Sequence, residues 1–142
     1  MMDVKFEGDK ELEKTLEHMA DVVGDKKTGY ILKDAARIVA KAVAREAPKG
    51  PTGNLKKAPY ARQLPERFGY PPAAVASVSR RRAPHAHLVE AGTKPRYQKS
   101  GRFTGMMTPN PFFKRGWAST QQKVRAYIET RLIKAINKAM GR

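Results

Sequence analysis

The sequence predicts a single α+β domain spanning residues 1–142, in which two N-terminal helices and one long C-terminal helix pack with a small, mostly antiparallel sheet. Three observations predict it. Apolar residues recur at helical spacing in two N-terminal stretches and again in the last part of the chain. The middle is broken by prolines and glycines and holds only short apolar or alternating runs. A length of 142 residues suits one domain, which buries roughly two thirds of the surface its unfolded chain exposes and needs no metal or disulfide to fold.

The elements follow in order. Val4-Lys5-Phe6 alternates as a short strand does, and Asp9, after Gly8, can cap a helix whose face is Leu12, Leu16, Met19 and Val23. Gly24 is its predicted stop. Thr28 is the predicted cap of a second helix with the apolar face Ile31, Ala35, Ile38, Val39, Ala42 and Val43, ended by Pro48. Six of the ten prolines lie between Pro48 and Pro72, together with Gly50, Gly53 and Gly69, so continuous regular structure is not expected there. Mobile loops are expected at 48–72 and 94–110, with a long hairpin the alternative for the second. Residues 73–79 read as a strand. Arg80-Arg81-Arg82 and a short segment, 84–90, precede Gly92. Asn110-Pro111 opens the C-terminal helix, since Asn caps free N–H groups and Pro at the first helical position gives up a bond that is unmade anyway. Its predicted inward stripe is Phe113, Trp117, Val124, Ile128, Leu132, Ala135 and Ala139. Gly141 ends it, and Lys134, Lys138 and Arg142 suit the negative end of its dipole.

Charge is abundant and uneven. Lys and Arg number 29 against 13 Asp and Glu, a formal net charge of +16. Residues 1–25 hold eight acids and three lysines; the rest of the chain holds 26 basic and five acidic residues. Glu13, Glu17 and Asp21 form one row on the first predicted helix, and Lys33, Arg37, Lys41 and Arg45 form one on the second. Like charges four residues apart cost a few tenths of a kcal/mol per pair, so such a row is mildly unfavourable unless something opposes it. A solvated face is the plain reading. The sharper one is that the acidic and basic rows meet between neighbouring subunits, with Arg80, Arg81 and Arg82 part of the same assembly surface. Lys123, Tyr127, Arg131, Lys134 and Lys138 form a third row. With Lys94, Arg96, Lys99 and Arg102 it could contact phosphates, and Tyr97 and Phe103 could stack on bases. Zinc-finger spacing, an aromatic RNA-binding motif and a helix-turn-helix signature are all missing, so the nucleic-acid reading is that of a nonspecific basic module.

Other classes find little support. The apolar runs are far shorter than the ~20 residues of a membrane-spanning helix, so no membrane association is expected. The opening residues lack a signal-peptide pattern, and export by that route is not expected. Without cysteine there is no thiolate chemistry or Cys-based zinc site. His85, His87 and Glu90 are the one constellation resembling a metal site, and no further ligand completes it. Ser77, Ser79, Ser100 and Ser119 lie in no nucleophile-elbow pattern, and the phosphate-loop signature is missing. Beyond residue 25 only Asp34, Glu46, Glu66, Glu90 and Glu129 remain for acid and base work. No catalytic residue, cofactor or metal is expected; a small nuclease using Glu90 or His87 is the minor enzymatic alternative.

The order of landmarks carries more. A helix ending in Ala47-Pro48 precedes Thr52-Gly53-Asn54-Leu55; Ala86-His87-Leu88-Val89-Glu90-Ala91-Gly92-Thr93 follows, and then Pro109-Asn110-Pro111-Phe112-Phe113 opens the last helix. This order resembles the minor tail components, or tail-completion and neck proteins, of long-tailed double-stranded DNA phages and prophages. The resemblance spans about residues 10 to 140, on the positions Pro48, Thr52, Gly53, Leu55, Val89, Glu90, Gly92, Thr93, Pro111, Phe112 and Phe113. It departs from the family pattern at Lys57-Ala58-Pro59, where a proline-rich insertion replaces the usual strand, and at His85 or His87, where a tyrosine is usual. It implies a non-enzymatic virion structural protein, made and assembled in the bacterial host cytoplasm, acting in head-to-tail joining or tail completion. The implied partners are further copies in a ring, from subunits that can be monomers in solution, and adjoining head-tail connector and tail-tube or terminator proteins. Contact with passing DNA is a secondary expectation. Physically, Thr52-Gly53 supplies a turn with positive φ, Gly92 a left-handed cap, Glu90 a partner for Arg or Lys, and Phe112-Phe113 an aromatic anchor.

Overall fold

The computed structural model describes residues 25–65, 67 and 71–141. The predicted strand at Val4-Lys5-Phe6, the helix of Leu12, Leu16, Met19 and Val23 with its stop at Gly24, and the acidic row of Glu13, Glu17 and Asp21 lie outside the described residues. Within them the chain is α+β, with a long C-terminal helix and antiparallel strand pairs.

Helix α1 (Asp25–Glu46) is the hub, packing against the C-terminal helix, against the strands that follow and against a short second helix. Its burial explains this position: Ala35, Val39, Ala40, Ala42, Val43 and Ala47 are all buried, a stripe wider than a surface helix presents. Small side chains dominate it, so neighbours approach closely. Thr28 lies within the helix instead of capping it, because Lys26 and Lys27 are good helix formers and nothing from Asp25 onward interrupts the turn. Pro48 follows the last turn as expected.

The proline-rich stretch is more regular than its composition predicts. Gly53, at φ 64°, makes the turn expected of Thr52-Gly53 and leads into α2 (Asn54–Lys57), which buries Leu55. Strand β1 (Pro59–Gln63) follows and pairs antiparallel with β2 (Ala74–Val78), in the register Pro59↔Val78 to Gln63↔Ala74. Pro59 is tolerated because it is the first residue of its strand. Pro59, Ala61 and Gln63 are half-buried, whereas Tyr60 and Arg62 alternate outward.

Helix α3 (Ala86–Ala91) ends at Gly92. Residues 94–110 resolve as a hairpin: β3 (Arg96–Tyr97) pairs antiparallel with β4 (Phe103–Gly105) across an irregular register. Helix α4 (Phe112–Ala139) runs for 28 residues, about 42 Å at helical rise. Its buried positions are Phe112, Gly116, Thr120, Val124 and Ala135. The expected stripe is therefore displaced over the first two turns. Phe113 and Ile128 are only partly buried against the core, and Trp117 is 42% exposed. The cause is the crossing with α1. Gly116 sits against the Val43 backbone, and Thr120 satisfies its hydroxyl on the Gly116 carbonyl at 2.8 Å, so a small face enters where a Trp face cannot. The core cluster joins Ala35, Val39, Val43, Leu55, Ala83, Phe112 and Val124.

Candidate assembly surface

The landmarks that are separate in sequence meet at the start of α4. Leu55 and Phe112 belong to one buried cluster, and Val89 packs against it. The Val89 carbonyl accepts a hydrogen bond from the Asn110 N–H at 2.8 Å. Both carboxylate oxygens of Glu90 face the helix end, accepting from the N–H of Phe113 at 2.9 Å and of Lys114 at 3.2 Å. This is an N-cap supplied from another helix, and its negative charge also suits the positive end of the α4 dipole. Two expectations are corrected. Glu90 serves backbone N–H groups, not an Arg or Lys. Asn110 is not the cap: its Oδ1 accepts from Arg115 Nη2 at 2.7 Å, and Pro111 holds the cap position. Arg115 also bonds Glu46 at 3.0 Å, tying the end of α1 to the start of α4.

Replacing Glu90 with Ala is expected to cost about 2 kcal/mol, the range for a lost cap whose acceptor is charged. Glu90→Gln, which keeps one acceptor, is expected to cost about half as much. Urea unfolding, with amide exchange at Phe113 and Lys114, measures this; unaltered exchange in Glu90→Ala would refute the cap.

From this node the 93–107 segment projects as an arm. Its base is closed by Thr93: the Thr93 N–H donates to the Met107 carbonyl at 2.9 Å, and Thr93 Oγ1 accepts from the Met107 N–H at 2.9 Å. Gly92 lets the chain turn there, at φ 73° and ψ −179°. That conformation is not the left-handed helical cap expected of it but the extended positive-φ region, which essentially only glycine adopts. Beyond the base, the two strands pack on each other more than on the rest of the molecule. Tyr97 and Phe103 form a tilted ring pair with centroids 5.5 Å apart, yet both remain more than half exposed, as does Met106. Lys94, Arg96, Lys99 and Arg102 are all exposed on the same arm. A second apolar surface, a groove of about 460 Å³, runs between α1, β2 and α4 and is lined by Leu32, Ala36, Val75, Phe113, Trp117 and Ile128.

Among the described residues, few cations of the rows meet a carboxylate. Among the described residues the ion pairs are Arg37–Asp34 at 2.8 Å and Arg115–Glu46 at 3.0 Å. Arg37, Lys41 and Arg45 lie exposed along α1, and Lys33 is half-buried. On α4 the Arg131 guanidinium covers the Tyr127 ring at 5.2 Å, so part of the third row is engaged within the helix. With Asp34 and Glu46 paired and Glu90 spent on the α4 cap, Glu129 is the one described carboxylate beyond Asp25 without such a role.

His85 and His87 are exposed at the start of α3. Among the described residues no group of three or more His, Cys, Asp or Glu could hold a metal ion. No described helix is long and apolar enough to cross a membrane. Sequence reasoning missed Gly116 and the Glu90 cap; the signal for the first was a glycine and a threonine four residues apart beside an aromatic pair. Searches found no protein family, curated protein or solved structure that matches the chain.

Proposed function

We propose that the protein is a phage virion structural component that acts in head-to-tail joining or tail completion, assembling as a ring with adjoining neck or tail proteins. The observation that carries this reading is the arm: its base is built from the stretches that carry the family resemblance, and it presents Tyr97, Phe103, Met106 and Met107 to solvent with four cations and no carboxylate. Large apolar side chains gathered on an element that packs mainly on itself suit a protein partner, for which aromatic anchors supply most of the binding energy. A ring requires two different patches on each subunit, and the arm and the α1–β2–α4 groove are such a pair. No catalytic chemistry enters the proposal.

The test is mass and sedimentation of the full chain alone and with purified tail tubes or connectors of the corresponding phage. A defined complex is expected with one of them. The Tyr97→Ser, Phe103→Ser double variant, altered only at exposed positions, is expected to lose at least tenfold in affinity while unfolding at the same denaturant concentration. No change in mass with either tubes or connectors overturns the proposal.

A further inference from the structure

We infer that the face built by α2, the outward side of β1 and the Arg80–Arg82 turn binds the phosphodiester backbone of nucleic acid. The observations are independent of the arm and of the α1–β2–α4 groove on which the proposed assembly rests. Residues 47–89 carry eight cations and one carboxylate, Glu66, and the fold brings three of those cations, Lys57, Arg81 and Arg82, to one cleft, whereas Arg80 lines a separate pocket beside His87 and Glu90. Lys56 and Lys57 are exposed in the last turn of α2. Tyr60 and Arg62 are the outward positions of β1. Because β2 runs antiparallel to β1, with Val78 opposite Pro59 and the Ser79 N–H on the Ala58 carbonyl at 2.9 Å, the arginine turn emerges beside α2. Arg82 Nη1 donates to the Lys57 carbonyl at 3.0 Å and fixes the turn there.

The result is a cleft of about 1000 Å³ lined by Asn54, Lys57, Tyr60, Ser79, Arg81 and Arg82, with no carboxylate among the described residues of its lining. None of its cations takes part in an ion pair among the described residues. The lining also decides the class of partner. Protein interfaces, though enriched in Arg and Tyr, centre on an apolar core depleted in charge, whereas nucleic-acid interfaces are polar and strongly positive throughout. This cleft offers donors, which suit phosphate oxygens, and a single ring, Tyr60, 38% exposed, on which a base can stack. No base-reading element accompanies it, so binding is insensitive to sequence. The α4 row and the arm cations, which composition alone would group with Arg80–Arg82, do not line the cleft.

The test is fluorescence anisotropy of the full chain with a labelled duplex and a labelled single strand of mixed sequence, between 50 and 200 mM salt, roughly the range over which phosphate contacts are read. Binding to either form that weakens steeply with salt is expected. The Lys57→Ala, Arg81→Ala variant, which spares the anchoring Arg82, is expected to bind at least tenfold more weakly at the low-salt end. Its slope of log K against log salt should be smaller by about 2. A variant with equal charge loss on α4, Lys134→Ala, Lys138→Ala, is expected to change each much less. Equal losses in the two variants, no binding to either nucleic acid, or polyglutamate competing as well as nucleic acid would each overturn the inference. Complex formation with tail tubes or connectors reads separately, so failure of one proposal leaves the other standing.

Discussion

Gly116→Ala is expected to destabilise the protein by about 2 kcal/mol, against the sign that helix propensity predicts. Glycine inside a helix is less favourable than alanine by about 1 kcal/mol, so in an isolated helix the substitution stabilises. Here the new methyl lies 2.7 Å from Val43 Cα and 2.8 Å from Val43 N and Cγ2. Two of those three atoms are backbone, and Val43 is fully buried, so the overlap is relieved only by moving α1 away from α4. Overpacking of this kind costs about 1–3 kcal/mol and occasionally more, which exceeds the propensity gain at the upper end of the range. Gly116→Val adds two further methyls and is expected to cost more than the alanine. Thermal unfolding should show the alanine variant melting several degrees below the parent, since 1 kcal/mol is worth roughly 2–8 °C in domains around this size. A higher melting temperature would mean that the α1–α4 contact is looser than the structure has it.

The same position shows why the face of the longest helix was not fully legible in the sequence. A search for apolar periodicity finds Phe113, Trp117, Val124 and Ile128, and three of those four do pack against or within the core. It passes over Gly116 and Thr120 because neither is hydrophobic. Yet closeness, not hydrophobicity, selects them, and the helix rotates to put Phe112, Gly116, Thr120 and Val124 inward. Trp117 is then left on the rim of the groove beside β2. The second helix was legible because α1 is buried on a broad face and small register errors do not matter there. The strand at Pro59–Gln63 was hidden by its own first residue, a proline that composition assigns to a loop but that strand geometry accepts at an end. Pairing with Ala74–Val78 is what makes it a strand, and that partner lies outside any local window.

Charge was legible as an amount and only partly as a pattern. Rows at helical spacing on α1 and α4 are recovered as mostly exposed positions, with Lys33 and Tyr127 half-buried, but pairing within the fold removes several charges from play. Glu90 is the clearest example. Read locally it is one carboxylate among few, next to two histidines; in the fold it closes the N-terminus of a helix that begins twenty-odd residues later. Conversely, the clustering of Arg81 and Arg82 with Lys57 and Tyr60 depends on an antiparallel register that spacing alone could not supply. The cationic cleft and the apolar arm thus differ in chemistry although composition presents both as basic loops.

Gly92→Ala is expected to cost about 3 kcal/mol, with its effect concentrated at the base of the arm. Two penalties combine. The backbone at φ 73° and ψ −179° lies in the region that residues other than glycine enter at about 1–3 kcal/mol. The added methyl would also stand 2.7 Å from Pro109 Cδ and Cγ and 2.8 Å from the Met107 carbonyl oxygen. Relief through a backbone shift would break the reciprocal bonds between Thr93 and Met107 that close the base. Amide exchange at Thr93 and Met107 should therefore accelerate far more than at Val43, where the core is undisturbed. Adding Pro109→Ala to the variant removes the Cγ and Cδ contacts but leaves the Met107 oxygen contact and the φ penalty, so it is expected to recover only part of the loss. Full recovery would show that sterics alone require the glycine, and no loss in the single variant would show that the base of the arm is not held in this conformation. If the partial recovery is found, the Glu90-Ala91-Gly92-Thr93 stretch is set by two backbone demands, a capped helix on one side and a glycine-only turn on the other. Its residues then position the arm, and partner choice lies in the side chains that the arm displays.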